Sequence, residues 1–135
     1  MRGGGRPRRG DREAGSAALE LVVVFPIVLV TLLTVIQVAL IAHATHVAQA
    51  AAREGARAAR LSGESDVGRQ RAEAFLARLG AEVVLQPAVT ATVEGQSVAV
   101  EVRGRAVGLV PGVPLDVRAT TVGPLERFVP ARSTP

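Results

Sequence analysis

The sequence contains no cysteine, no tryptophan and no tyrosine, and only three phenylalanines. Without cysteine, disulfides and thiolate metal sites are excluded, and an extracytoplasmic location is permitted but not supported. Without Trp or Tyr there is neither an aromatic membrane belt nor a platform on which nucleic-acid bases could stack. Lysine is absent as well, so all sixteen positive charges are arginine. Five of them, Arg2, Arg6, Arg8, Arg9 and Arg12, precede Gly15 against only Asp11 and Glu13, and the remainder of the chain is nearly neutral. A basic cluster confined to one end argues against a nucleic-acid partner, which needs a basic face, and fits the positive-inside rule.

Charge is also missing from the middle of the N-terminal half. From Leu21 to Ala42 no residue carries a formal charge, and the next one after that is Arg53. Those residues as a helix rise about 33 Å at roughly 1.5 Å each, enough for a hydrocarbon core of about 30 Å. The run exceeds the usual core of a cleaved secretory signal, so a retained single-pass helix is expected. Cleavage after Ala44, within the small-x-small sequence Ala42-His43-Ala44, would instead release a soluble exported protein. The arginine asymmetry puts the N-terminus in the cytoplasm and everything beyond Ala42 outside. Arg8-Arg9 lacks the apolar run that a twin-arginine signal needs directly after it.

Pro26 interrupts the run early. It deprives the Val22 carbonyl of its helical donor, which predicts a local kink. Beyond the span, Ala44 to Arg60 is rich in helix-forming alanine. Ala44, Ala48, Ala51, Gly55 and Ala59 recur at spacings of three and four, drawing a strip on which another backbone or a sheet can approach closely. Alanine-rich composition alone would produce the same strip. Arg53, Arg57 and Arg60 are expected on the solvated face, and Gly63 caps the helix.

A second helix, capped by Ser62 or Ser65 and reaching Leu79, is expected next. Gly68, Ala72, Phe75, Leu76 and Leu79 share its apolar stripe, and Gly80 ends it. Ala81 to Leu85 reads as a short strand halted at Pro87. In residues 88–103, Val89, Ala91 and Val93 alternate with polar positions, as do Val98, Val100 and Val102. Joined by a Gly95-Gln96 turn of type II′, they predict a hairpin that pairs Val93 with Val98, Ala91 with Val100 and Val89 with Val102. Pro111-Gly112 marks a turn, Leu115 to Val122 a third strand, and Pro124 onward a loose tail. The fold class is therefore α+β: a long transmembrane helix continuing outward, a short helix, and a small antiparallel sheet of three or four strands. One sheet face needs a cover, and the alanine strip is available to supply it. The corresponding domains are a leader, 1–15, a transmembrane and extended helix, 16–61, and a small extracytoplasmic domain, 62–135.

No enzymatic chemistry is expected. His43 and His46 stand three apart without a completing ligand, and no serine has a histidine partner outside that helix. No phosphate-binding loop is present, and no metal or cofactor is expected. Glu20 is different. An acid at the edge of a span either reaches back to the headgroups or has a partner. If the bond after Gly15 is cut, Ser16 becomes a new N-terminus whose α-amine lies about one helical turn from Glu20. That amine, from the same chain or a neighbour, is a natural partner and would set the axial register between assembling helices.

The basic leader, Gly15-Ser16, Glu20 and the long apolar helix together resemble a type IV prepilin processing site. The continuations Glu20-Leu21-Val22-Val23-Val24-Phe25-Pro26-Ile27-Val28-Leu29 and Ala51-Ala52-Arg53-Glu54-Gly55-Ala56-Arg57-Ala58-Ala59 resemble the TadE-like proteins, minor pseudopilins of the Tad (tight adherence, Flp pilus) systems. The resemblance covers residues 14–60, and the family often places an aromatic where this chain has Leu21. It implies a pilin-like fold, cleavage between Gly15 and Ser16 by a membrane prepilin peptidase, and assembly roles for Glu20 and Pro26. It also implies helix packing through Ala48, Ala51, Gly55 and Ala59. The implied partners are the lipid bilayer, other Tad pseudopilins, a major pilin and inner-membrane platform proteins. The rival from a different class is a signal-anchored protein whose outer domain binds a ligand without any pilus.

Overall fold

The structure is a computed structural model that describes residues 9–125, with side chains from Glu20 onward. The elements, in chain order, are α1 (Arg9–Ser62), α2 (Ser65–Leu79), β1 (Val84–Glu94), β2 (Ser97–Ala106) and β3 (Asp116–Pro124). The three strands form an antiparallel meander in the order β1-β2-β3. A long apolar helix, a short helix and a three-stranded antiparallel sheet make the α+β class expected from the sequence. The chain divides into two units, Met1–Ile36 and Gln37–Pro135.

Within the first unit, every described side chain from Glu20 to Ile36 is exposed. The Thr31 and Thr34 hydroxyls donate to the carbonyls of Ile27 and Val30, each at 2.8 Å. Such back-bonding satisfies hydroxyl groups that an apolar surrounding would otherwise penalise. The helix carries Pro26 in its interior.

The second unit holds the core. Alanines from α1, Ala72 and Leu76 from α2, and Val84, Val98, Val100, Val102, Ala106, Val117 and Ala119 from the sheet are all buried together. α1 stops at Gly63, whose φ of 77° is costly for a side chain and whose N–H donates to the Ala59 carbonyl at 2.8 Å. Neither Ser62 nor Ser65 caps α2, contrary to the sequence expectation. Glu64 holds the N-cap position with no side-chain cap bond. The Ser62 hydroxyl is drawn to the Glu64 N–H instead, at 3.1 Å, because the two helices are only two residues apart. Leu79 also leaves the expected stripe and is exposed, whereas Gly68, Ala72 and Leu76 are buried.

The hairpin pairs Val93 with Val98, Ala91 with Val100 and Val89 with Val102, as the alternation predicts. Gly95 has a φ of 59° and Gln96 does not have a positive φ, which fits the expected type II′ turn. Pro87, expected to halt a separate strand, instead lies inside β1. The register steps from Leu85–Arg105 to Ala88–Arg103, so Gln86 and Pro87 together oppose Gly104 in a bulge. β1 is an edge strand, where a missing N–H is tolerated, and Gln86 takes a φ of 50° to turn the corner. The third strand begins at Asp116 and ends at Pro124, two residues beyond the expected end. Residues 126–135, read as a tail, lie outside the described residues.

Candidate functional site

Three surfaces carry the residues singled out by the sequence. The first is the processing stretch. Gly15 and Ser16 fall within α1, with the Ser16 side chain outside those described; Glu20 and Pro26 are exposed on the same helix. The apolar surface continues along α1 as Leu21, Val22, Phe25, Ile27 and their successors, all open to the surroundings. This helix is long and apolar enough to cross a membrane.

The second is the small-residue strip. Ala44, Ala48, Ala51 and Ala59 have no exposed surface, and Gly55 is buried among them. Ala52 and Ala56 are buried as well, so the strip is broader than the three-and-four spacing suggested. Their signal was present, since Ala52 lies four residues from Ala48 and Ala56 three from Ala59. A methyl placed on Gly55 would stand 2.7 Å from the Gly68 carbonyl, 2.9 Å from Ala72 Cβ and 3.2 Å from Val100 Cγ1. One glycine therefore admits both α2 and the sheet to the same turn of α1. Gly68 answers it: a methyl there would meet Ala59 Cβ at 2.7 Å and the Gly55 carbonyl at 2.9 Å. Gly80, by contrast, has an ordinary negative φ of −119° and is small because Val47 and Leu76 press against it.

The outer face of α1 is less uniform than the sequence suggested. Arg53 and Arg57 are exposed, but Arg60 is half-buried, with its guanidinium over Gly123 of β3. A methyl at 123 would lie 3.1 Å from an Arg60 terminal nitrogen, so that side chain would have to give by a few tenths of an ångström. Glu54 pairs with Arg71 across the two helices at 3.0 Å, at the edge of an open groove of about 550 Å³.

The third is the sheet face turned away from the strip. Thr90, Glu101 and Thr120 line up across it, with Arg103 beside Arg118 in the next row. Glu101 accepts from Arg103 and, at 2.6 Å, from Arg118 Nε. These two guanidiniums, Arg103 foremost, hold the Glu101 carboxyl below its usual range. Arg69 is similarly held in its charged form by Asp66 and Glu73 along α2. His43 and His46 are exposed, and among the described residues no cluster of three potential metal ligands occurs.

An apolar helix long enough to span a bilayer once, with an alanine strip packed under a small sheet, fits a single-pass membrane protein of the α+β class. Residues 15–57 match the family described as TadE-like protein, which bears out the resemblance over that stretch. The match opens at Gly15 and closes two residues past Gly55, taking in both the processing stretch and most of the strip. No curated protein and no solved structure matches the chain.

Proposed function

We propose that the protein is a minor pseudopilin of a Tad pilus assembly system, non-catalytic, made as a precursor and trimmed between Gly15 and Ser16 by a prepilin peptidase. The observation that carries this reading is the family match beginning at Gly15, with Glu20 one helical turn beyond the bond to be cut. In this reading the leader stays in the cytoplasm, α1 crosses the membrane once, and the α+β unit lies outside. The new α-amine of Ser16 pairs with Glu20 of the same or a neighbouring chain, offsetting the cost of an acid at the edge of hydrocarbon. The partners are the peptidase, other pseudopilins, the major pilin and the inner-membrane platform.

Intact-mass spectrometry of the chain co-expressed with its peptidase tests the cleavage. The expected product begins at Ser16; a chain still beginning at Met1 or Arg2 overturns the processing and leaves a signal-anchored protein. Glu20→Ala is expected to insert in the membrane normally and to reduce pilus assembly at least several-fold. Unchanged piliation would remove the pairing role.

A further inference from the structure

The β2–β3 connection is an apolar loop without a single charge from Ala106 to Leu115. Val107, Leu109, Val110 and Val113 all stand exposed on it, Val110 and Val113 at 51% and 52%. Exposed apolar clusters of this kind mark surfaces that meet something other than water. The loop's neighbour says what. The Leu109 N–H donates to Gln37 Oε1 at 2.8 Å, and Gln37 lies on α1 inside the apolar run that ends near Ala42. At roughly 1.5 Å per residue, Gln37 is about 7.5 Å inside the end of that run.

Two further contacts place the loop there independently. Arg60 lies over Gly123, which pairs with Val98, and Gly55 faces Val100. β2 therefore runs antiparallel to α1, back toward the start of the unit. From Gly55 to Gln37 the helix covers about 27 Å. From Val100 to Leu109 an extended chain covers about 30 Å, so the two paths arrive at the same level.

We propose that this loop is a second membrane-contacting element, which dips its Leu109–Val113 tip into the interfacial region of the lipid leaflet beside Gln37. The inference rests on α1 being the membrane span and goes beyond it. The chemistry of the loop suits a dehydrated setting. Pro111 and Pro114 have no N–H to leave unsatisfied, and the Leu109 N–H is taken up by Gln37. The Ala106 N–H closes the loop base on the Leu115 carbonyl at 2.8 Å. Gln37, the one amide in the apolar run, offers its Oε1 to that backbone donor, while its Nε2 is buried without a hydrogen-bond partner among the described residues. The loop itself carries no charge, and Arg105 and Asp116, opposite each other at its base, are of opposite sign, so insertion is driven by apolar area and not by attraction to anionic headgroups.

The natural absence of cysteine makes the test direct. Single variants Val110→Cys and Val113→Cys of the full chain are labelled with an environment-sensitive fluorophore and placed, one copy each, in phosphatidylcholine nanodiscs carrying acyl-chain nitroxides. Leu33→Cys serves as the in-span reference and Glu94→Cys, at the end of β1 opposite Ser97, as the aqueous one. The expected result is quenching of both loop labels by lipid nitroxide at least several-fold above Glu94→Cys, with blue-shifted emission. Loop labels that match Glu94→Cys and respond to aqueous iodide, while Leu33→Cys is quenched, overturn the loop insertion alone. If Leu33→Cys also escapes quenching, the membrane span itself fails. Labels shielded from iodide yet untouched by lipid nitroxide would show that protein covers the loop and also overturn the proposal.

Discussion

A methyl group is too large at position 55. Gly55→Ala would put a carbon 2.7 Å from the Gly68 carbonyl, and a backbone atom cannot rotate away as a side-chain tip can. Overpacking of this kind costs about 1–3 kcal/mol. Thermal unfolding of the full chain in detergent is expected to show that loss, whereas Arg57→Ala, on the exposed face, stays close to wild type. Glu101 carries the clearest pH dependence. Its folded pKa lies below its unfolded one, so its stabilising contribution is complete above the ordinary carboxylate range. That contribution is lost as pH falls through the lowered, folded-state value. Glu101→Gln is therefore expected to flatten the acid limb of the stability curve and to lower stability slightly at neutral pH, where the ionised carboxylate makes its full contribution. Acid titration followed by circular dichroism checks both parts.

At the scale of elements, the hairpin was readable because everything that determines it is local. Two alternating runs and a two-residue turn with glycine first leave one register that keeps all the valines on one face. The edge bulge was not readable, because Pro87 looks like a strand terminator until the strand is known to lie at an edge. The cap of α2 was misread for a related reason: Ser62 belongs to the preceding helix and spends its hydroxyl there and on the Glu64 N–H. Arg60 was expected in solvent since its spacing matches Arg53 and Arg57, and only the position of Gly123 across the sheet draws it in. Leu76 is the large side chain of α2 that is fully buried in the core, with 2% of its surface exposed, and Phe75 packs against the same core half-buried. Leu76→Ala is expected to cost about 2–5 kcal/mol, read by chemical denaturation. The loss should fall on the second unit, where Leu76 is packed.

For the whole molecule, the proposed orientation rests on where the arginines are. Replacing Arg2, Arg6, Arg8, Arg9 and Arg12 with glutamine removes the charge asymmetry on which that proposal depends. Protease accessibility in spheroplasts is expected to show a mixed population, with part of the α+β unit now protected. A uniformly accessible unit would mean that the apolar helix orients without the leader.

The sequence by itself determined the span, the hairpin register, the strip and the TadE-like stretch, since each depends on neighbours within a few turns or one hairpin. Tertiary structure alone decided what those pieces meet. It put Val100 and Gly68 against Gly55, laid Arg60 over Gly123, and joined Gln37 to Leu109 across seventy-two residues of chain. No periodicity encodes such contacts, because they arise only when β2 folds back along α1 and packing selects which distant surfaces are small enough to touch.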